Sequence, residues 1–265
     1  MDDYPNHIKY RLSILIFQDG FSFLVVNSHH EPIHFENHRL GHSQSINDLL
    51  NQLKRHIHPS FLSLYGIEAL QVIYGNPQFS LVPNEYFDNS TLPHYLKYSS
   101  KLIEGDDFSQ DDVETIDAKL VYIPYVNINN YLFEIFGSFE FTHILTHLLP
   151  KSKTRSLDSK EYVMVHVGKQ NLYIACFKNQ KLNLVNTFSY ETPQDLVYYI
   201  LFCIEELALD REQLCLQFTG EFYKSEDNIA LIILENYIRT IQFCNTITTS
   251  EYQFKAGFHQ HYNIL

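Results

Sequence analysis

Histidine is the residue type in this chain whose number and spacing first suggest chemistry: there are 14 in 265 residues. His30, His34, His38 and His42 recur every four positions, a spacing that would line up metal ligands along a helix. Pro32, and the alternation of Ile33 and Phe35 with His34 and Glu36, predict a strand instead. On a strand these imidazoles share one wet face. His143 and His147 are also four apart, but no Glu precedes His147, so the zinc-protease pattern H-E-x-x-H is not met. No metal site and no cofactor are assigned from these patterns.

Carboxylates are the second candidate chemistry. A two-metal nuclease needs several of them converging on one point. The well-placed acids are Asp19, Asp48 and Asp195, and the last two stand where helix caps stand. The acidic stretch 104–117 lacks the ligand spacing and the glycine of a calcium loop, and reads as a solvated loop. No G-x-S-x-G, P-loop or G-x-G-x-x-G run occurs. Gly168-Lys169 lacks the upstream glycine and the hydroxyl residue of a Walker motif. No catalytic residue is assigned.

The bulk numbers narrow the partners. A net charge of −12 repels polyanions, which disfavours nucleic acid and anionic membrane and leaves a protein partner as the expectation. The longest strongly apolar stretch, 196–204, falls far short of the roughly 20 residues that span a bilayer. The first residues show no basic and apolar signal pattern. Cys176, Cys203, Cys215 and Cys244 form no C-x-x-C pair, and three lie in apolar periodic segments, as buried reduced thiols do. The expected compartment is the cytoplasm, with no direct membrane insertion.

The elements that must carry these residues repeat. Segments 12–17, 21–27 and 33–39 are β-prone, with Asp19-Gly20 separating the first pair as a hairpin turn would. Ser45 caps a helix with Asp48 at its third position, and Leu49, Leu50, Leu53 and Ile57 follow at helical spacing up to Pro59. Segment 69–74 is a buried strand ending at Gly75. The second half repeats this β-β-β-α-β order: strands 163–167, 172–177 and 182–188, then Thr192-Pro193 capping a helix with Asp195 at the third position, then strand 214–218 before Gly220. Spacing and cap chemistry match between the copies, which points to an internal duplication. Further helices are expected at 83–99, 127–136 and 225–236, with strands at 119–123 and 237–243. Tyr190, Tyr198, Tyr199 and Phe202 are expected to pack against the sheet. The basic polar stretch 151–160 reads as a linker, dividing the chain into a subdomain over 1–150 and another over 151–265.

A duplicated β-β-β-α-β unit resembles the actin, sugar-kinase and Hsp70 superfamily, whose halves are RNase H-like. More closely, the chain resembles a bacterial family of unknown function that shares this duplicated fold. The likeness rests on 185–201, on Leu216-Gln-Phe-Thr-Gly220-Glu221, and on the opening from Leu12 to Asp19-Gly20-Phe21-Ser22-Phe23. The resemblance implies two tandem RNase H-like (actin-like ATPase) subdomains of α/β class, each a mixed sheet with flanking helices.

It also implies where a nucleotide would sit. Each half of an actin-like ATPase offers an Asp-x-Gly at its first hairpin. Here Gly20 places Gln18, and Gly168 places His166, in the acid position. The nucleotide-binding candidates are therefore Asp19, Gly20, Gly168 and Gly220. With the acids missing, the expected function is a non-catalytic interaction or scaffold protein with degenerate nucleotide motifs. A nucleotide-binding ATPase or kinase relative with diverged ligands is the alternative, and an RNase H-like nuclease a further one.

Overall fold

The computed structural model describes residues 10–41 and 45–244, together with Phe258, His261 and Ile264. His42 lies outside the described residues.

The first lobe begins as a meander of β1 (Tyr10–Phe17), β2 (Gly20–Val26) and β3 (Pro32–Arg39). Alternation sorts its side chains between two faces. Leu12, Ile14, Ile16, Phe21, Phe23 and Val25 are all buried, in one cluster with the helices. Leu24 and Phe35 face the other way, into a separate cluster. Helices α1 (Ile46–His56) and α2 (Pro59–Tyr65) follow. Leu49, Leu53, Ile57 and Phe61 from this pair complete the first cluster. Pro59 thus begins a second helix as well as ending the first, because a missing N–H costs nothing in a helix's first turn. Strand β4 (Ile67–Gly75) returns parallel to β1.

A three-stranded antiparallel sheet is inserted next: β5 (Phe79–Pro83), β6 (Ser109–Val113) and β7 (Ala118–Tyr122), in the order β5-β7-β6. Between β5 and β6, the 83–99 region is not one helix. Pro83 ends β5, two 3-10 turns follow, and only α3 (Leu92–Leu96) is α-helical. Asp88 accepts the Ser90 N–H, a local bond that competes with helix continuation. The acidic stretch is likewise more than a loop. Its middle forms β6, and Asp111 is buried enough that desolvation raises its pKa. Asp111 accepts the Tyr122 hydroxyl (3.0 Å), the His143 N–H (2.7 Å) and the Thr146 hydroxyl (2.6 Å). It thereby satisfies the N–H of the residue that caps the next helix.

Helix α4 (Val126–Phe136) and strand β8 (Glu140–His143) complete the first lobe's main sheet, ordered β3-β2-β1-β4-β8. Helix α5 (Ile144–Arg155) takes up the first half of the expected linker, 151–160. Leu145, Leu148 and Leu149 anchor it in the core, so Lys151 and Lys153 decorate the end of a helix, and a 3-10 turn at Ser156–Asp158 leads on to Lys160.

The second lobe repeats the plan with β9 (Glu161–Val167), β10 (Asn171–Lys178), β11 (Lys181–Ser189), α6 (Pro193–Glu206), β12 (Cys215–Gly220), α7 (Ile229–Leu234) and β13 (Thr240–Phe243). Its order, β11-β10-β9-β12-β13, is that of the first sheet, with two antiparallel and two parallel pairings in the same places. Phe17 pairs with Gly75, and Val167 pairs with Gly220, so the two glycines are equivalent. Both main helices start in capping boxes, Ser45 with Asp48 and Thr192 with Asp195. Helix α7 is shorter than its expected 225–236 span, because Asn228, not Ser225, accepts the Leu231 N–H and caps it.

Phe258, His261 and Ile264 pack on the first lobe. Phe258 meets Phe35 edge-on at 5.3 Å, and His261 bridges the Ser22 and Ser13 hydroxyls at 2.8 and 2.9 Å. Ile264 joins the first lobe's core. Among the described residues no helix is long and apolar enough to cross a membrane, and no disulfide joins the cysteines.

Candidate functional site

The resemblance to actin-like ATPases implies that a nucleotide would sit at the tips of the first hairpin in each lobe, and these tips meet in the structure. The β1–β2 turn is Gln18-Asp19, one residue earlier than Asp19-Gly20, because Gly20 already pairs with Phe17. Gly20 is needed for close approach. A Cβ there would lie 2.3 Å from the His38 carbonyl oxygen of β3. Gly220, at φ +84°, has the same problem with the Val167 carbonyl, also 2.3 Å away. The backbone around these glycines is occupied by the fold itself. Gly168 donates its N–H to Asn171 (2.8 Å) and accepts the Tyr190 hydroxyl, and Glu221 donates its N–H to Val167 (2.7 Å). A phosphate cradle needs such N–H groups aimed outward.

Charged side chains close the remaining space. Arg39 donates to Glu221 across the lobes at 2.7 Å, and Lys169 reaches the Leu40 carbonyl at 3.5 Å. Burial raises the Glu221 pKa, and the Arg39 charge opposes that shift. Asp19, Gly20, Arg39, Lys169 and Glu221 enclose about 20 Å³, room for about one water molecule. Tyr125, Tyr173 and Tyr190 surround this point. Burial raises each hydroxyl's pKa, for Tyr190 up to about 12, and the Asp19 charge adds to the effect. At the two acid positions, Gln18 lines a separate pocket of about 330 Å³, and His166 is fully buried. Burial pulls the His166 pKa down to about 3, so this imidazole is neutral at pH 7. Over Gly75 lies the Phe17 ring, 2.1 Å from where a Cβ would stand.

Asp48 and Asp195 do not approach this point as metal ligands. Each carboxylate accepts the backbone N–H of its own N-cap residue at 2.9 Å, and the same residue's backbone bonds hold its pKa low. Among the described residues, one group of three ligand-type side chains converges, and it lies elsewhere: Glu36, His38 and His56. The histidine stripe lies on strand β3, as its alternation predicts, and its face is only partly open to water: His34, Glu36 and His38 are each half-buried. His38 stacks on Phe23, and His34 meets both Phe23 and Tyr65 of α2 at a tilt. His30 sits in the β2–β3 turn at φ +61°. His143 is fully buried, accepting the Leu145 N–H and lying 3.0 Å from the Asn76 carbonyl.

Apolar side chains fill the seam between the lobes. Tyr162, Met164, Tyr173 and Phe177 of the second sheet belong to the same buried cluster as Leu145, Leu148 and Leu149 of α5 and the first sheet. The large opening lies to one side. Strand β5 ends the three-stranded sheet, β11 ends the second main sheet, and both line a groove of about 840 Å³. None of its lining residues is charged. Tyr98, 88% exposed, stands at its rim, and the Thr187 hydroxyl oxygen inside has no hydrogen-bond partner.

A family model for proteins of unknown function, DUF3822, matches residues 3–241. The chain belongs to DUF3822. Among solved structures, this DUF3822 chain is similar to a Bacteroides thetaiotaomicron protein of actin-like ATPase fold and unknown function. The two are 21% identical over 92% of this chain and 94% of that one, with a TM-score of 0.78. A type IV pilus biogenesis complex, PilM-PilN, contains a second similar chain, at 10% identity, 89% and 88% coverage and a TM-score of 0.51. A search of curated proteins returns no match. The duplicated RNase H-like, actin-like architecture expected from the sequence is therefore the fold of this DUF3822 member. The expected packing of the α6 aromatics needs correction. Tyr199 stacks on Phe188, but Tyr198 and Phe202 stack on each other in solvent, 60% and 43% exposed.

Proposed function

We propose that this DUF3822 chain is a non-catalytic interaction protein of the cytoplasm, which keeps an actin-like frame and holds an extended segment of a partner protein between β5 and β11. The observation that carries this reading is the contrast between two openings. The hairpin tips enclose about 20 Å³, with their amides engaged and a neutral imidazole at one acid position. The uncharged groove beside them offers about 840 Å³ between two edge strands.

Edge strands present unused backbone donors and acceptors, which an added strand can pair. An uncharged lining favours an uncharged, β-prone segment over nucleic acid, whose phosphates need cations. Tyr98 is the kind of exposed aromatic that anchors a bound chain. The similar chain in the PilM-PilN complex is itself part of a protein assembly, which supports the class of function by analogy of fold.

Two measurements test the reading. A photo-crosslinking amino acid in place of Tyr98 should capture a partner polypeptide in cells, while the same group at exposed Tyr237, outside the groove, should not. Millimolar ATP with magnesium should leave the melting temperature unchanged. Magnesium-dependent ATP turnover that is lost in Asp19→Ala would overturn the proposal in favour of a diverged ATPase.

A further inference from the structure

The convergence of Glu36, His38 and His56 lies apart from both the hairpin tips and the groove, and its chemistry is different. His38 Nε2 lies 2.8 Å and His56 Nδ1 3.5 Å from the same carboxylate oxygen, Oε2 of Glu36. All three ligand atoms lie within 4.8 Å of one another. The His38 and His56 rings are 3.6 Å apart, centre to centre. The other carboxylate oxygen, Oε1, is engaged by His34 Nε2 at 2.9 Å. Residues 34, 36 and 38 share a face because a strand repeats every two residues. His56 comes from the last turn of α1, which packs over that face.

We propose that Glu36, His38 and His56 form a site for one divalent transition-metal ion, zinc by ligand type. A tetrahedral zinc with ligands about 2.0–2.1 Å away separates its donor atoms by about 3.3 Å. Two of the edges here, 2.8 and 3.5 Å, are already close to that value. Closing the third edge takes a side-chain adjustment of about 1.5 Å at most, available to half-exposed imidazoles. Two His and one carboxylate suit zinc better than magnesium or calcium, which take oxygen ligands. Three protein ligands leave the fourth position to water.

His34 is a positioning residue. Its bond to Oε1 turns Oε2 toward the ion, as partners of ligating carboxylates do. Phe21, Phe23 and Phe61 pack beneath the rings and restrict their rotation. The other charge-bearing groups near His56 are Arg55 and His58. Arg55 opposes a cation. His58 is committed as the cap of α2, accepting the Phe61 N–H at 3.3 Å. Occupancy would pin the end of α1 to the edge strand β3.

The inference does not depend on the proposed function. It is tested on full-length protein stripped with a chelator and titrated with zinc against a chromogenic competitor. The wild type should bind one zinc per chain. His38→Ala, His56→Ala and Glu36→Gln should each abolish that binding, and His34→Ala should weaken it about ten- to a hundredfold. His29→Ala and His94→Ala, distant surface changes, should leave it intact. Circular dichroism checks that each variant is folded, and the near-isosteric Glu36→Gln keeps the test valid if an alanine variant is not. Cobalt substitution gives a second readout: a four-coordinate ion shows intense visible absorption that vanishes in Glu36→Gln. Wild-type binding no tighter than that of Glu36→Gln, or a weak six-coordinate cobalt spectrum shared by both, would overturn the assignment.

Discussion

Acid should open this protein well before its carboxylates titrate, because three histidines are buried without charge. His143 and His166 lie in the seam between the lobes, on either side of Tyr173, at ring separations of 6.3 and 6.2 Å. His261 packs on the first sheet. Burial is the first cause of all three shifts, from 6.5 down to about 4 for His143 and about 3 for the other two. A depressed histidine pKa means that the unfolded chain binds protons that the folded chain refuses. The associated stability is complete above pH 6.5 and falls as the pH drops through the interval toward 4 and 3.

Between pH 8 and pH 5 each histidine should cost about 2 kcal/mol, or about 6 kcal/mol together, a large part of a typical domain's stability. His147, also lowered to about 4 by burial, adds a further loss of the same sign. Asp111 and Glu221, raised by burial, act in the opposite direction. For His143 there is a specific structural consequence. Protonating Nδ1 removes the acceptor for the Leu145 N–H, so the start of α5 loses its cap. The assay is urea unfolding at pH 8, 7, 6 and 5, followed by far-UV circular dichroism and by tyrosine fluorescence, since the chain has 19 tyrosines and no tryptophan. His261→Gln retains hydrogen bonding to the serines but does not titrate, so it should remove about 2 kcal/mol of the loss at pH 5. A total loss below about 2 kcal/mol, or a pH profile unchanged by His261→Gln, refutes the reasoning.

Other expectations follow from close contacts and caps. Gly220→Ala forces a Cβ to 2.3 Å from a carbonyl at φ +84° and should cost at least about 2 kcal/mol, read as a lowered melting temperature; an unchanged value contradicts the close-approach argument. Asp111→Ala removes the acceptor of three donors, two of them at the start of α5, and should cost about 3 kcal/mol in chemical unfolding, whereas a surface acid such as Glu104 changed to Ala should cost almost nothing. Thr192→Ala removes one side of the α6 capping box and should cost about 1 kcal/mol in the same measurement, with Thr192→Ser restoring it.

Much of the frame follows from the chain's local chemistry. The two β-β-β-α-β units, their capping boxes at Ser45 and Thr192 and the strand period of residues 32–39 are local: turn residues, side-chain caps and alternation act within a few positions, where sequence distance is spatial distance. The same locality explains what the sequence misplaces. Asp111 reads as one acid in a solvated run, and becomes buried only because α5, more than thirty residues on, needs an acceptor at its start. Lys151 and Lys153 read as part of a linker until Leu145 and Leu149 bury the helix that carries them. Tyr198 and Phe202 could face either way at helical spacing, and the packing of α6 leaves them in water. Whether Asp19, Gly20, Gly168 and Gly220 enclose a ligand or each other, and whether His56 meets Glu36 and His38, depends on how sheets and helices from distant parts of the chain come to rest. Those contacts are set by the burial of shared apolar surface, a global property to which each short segment contributes without determining it.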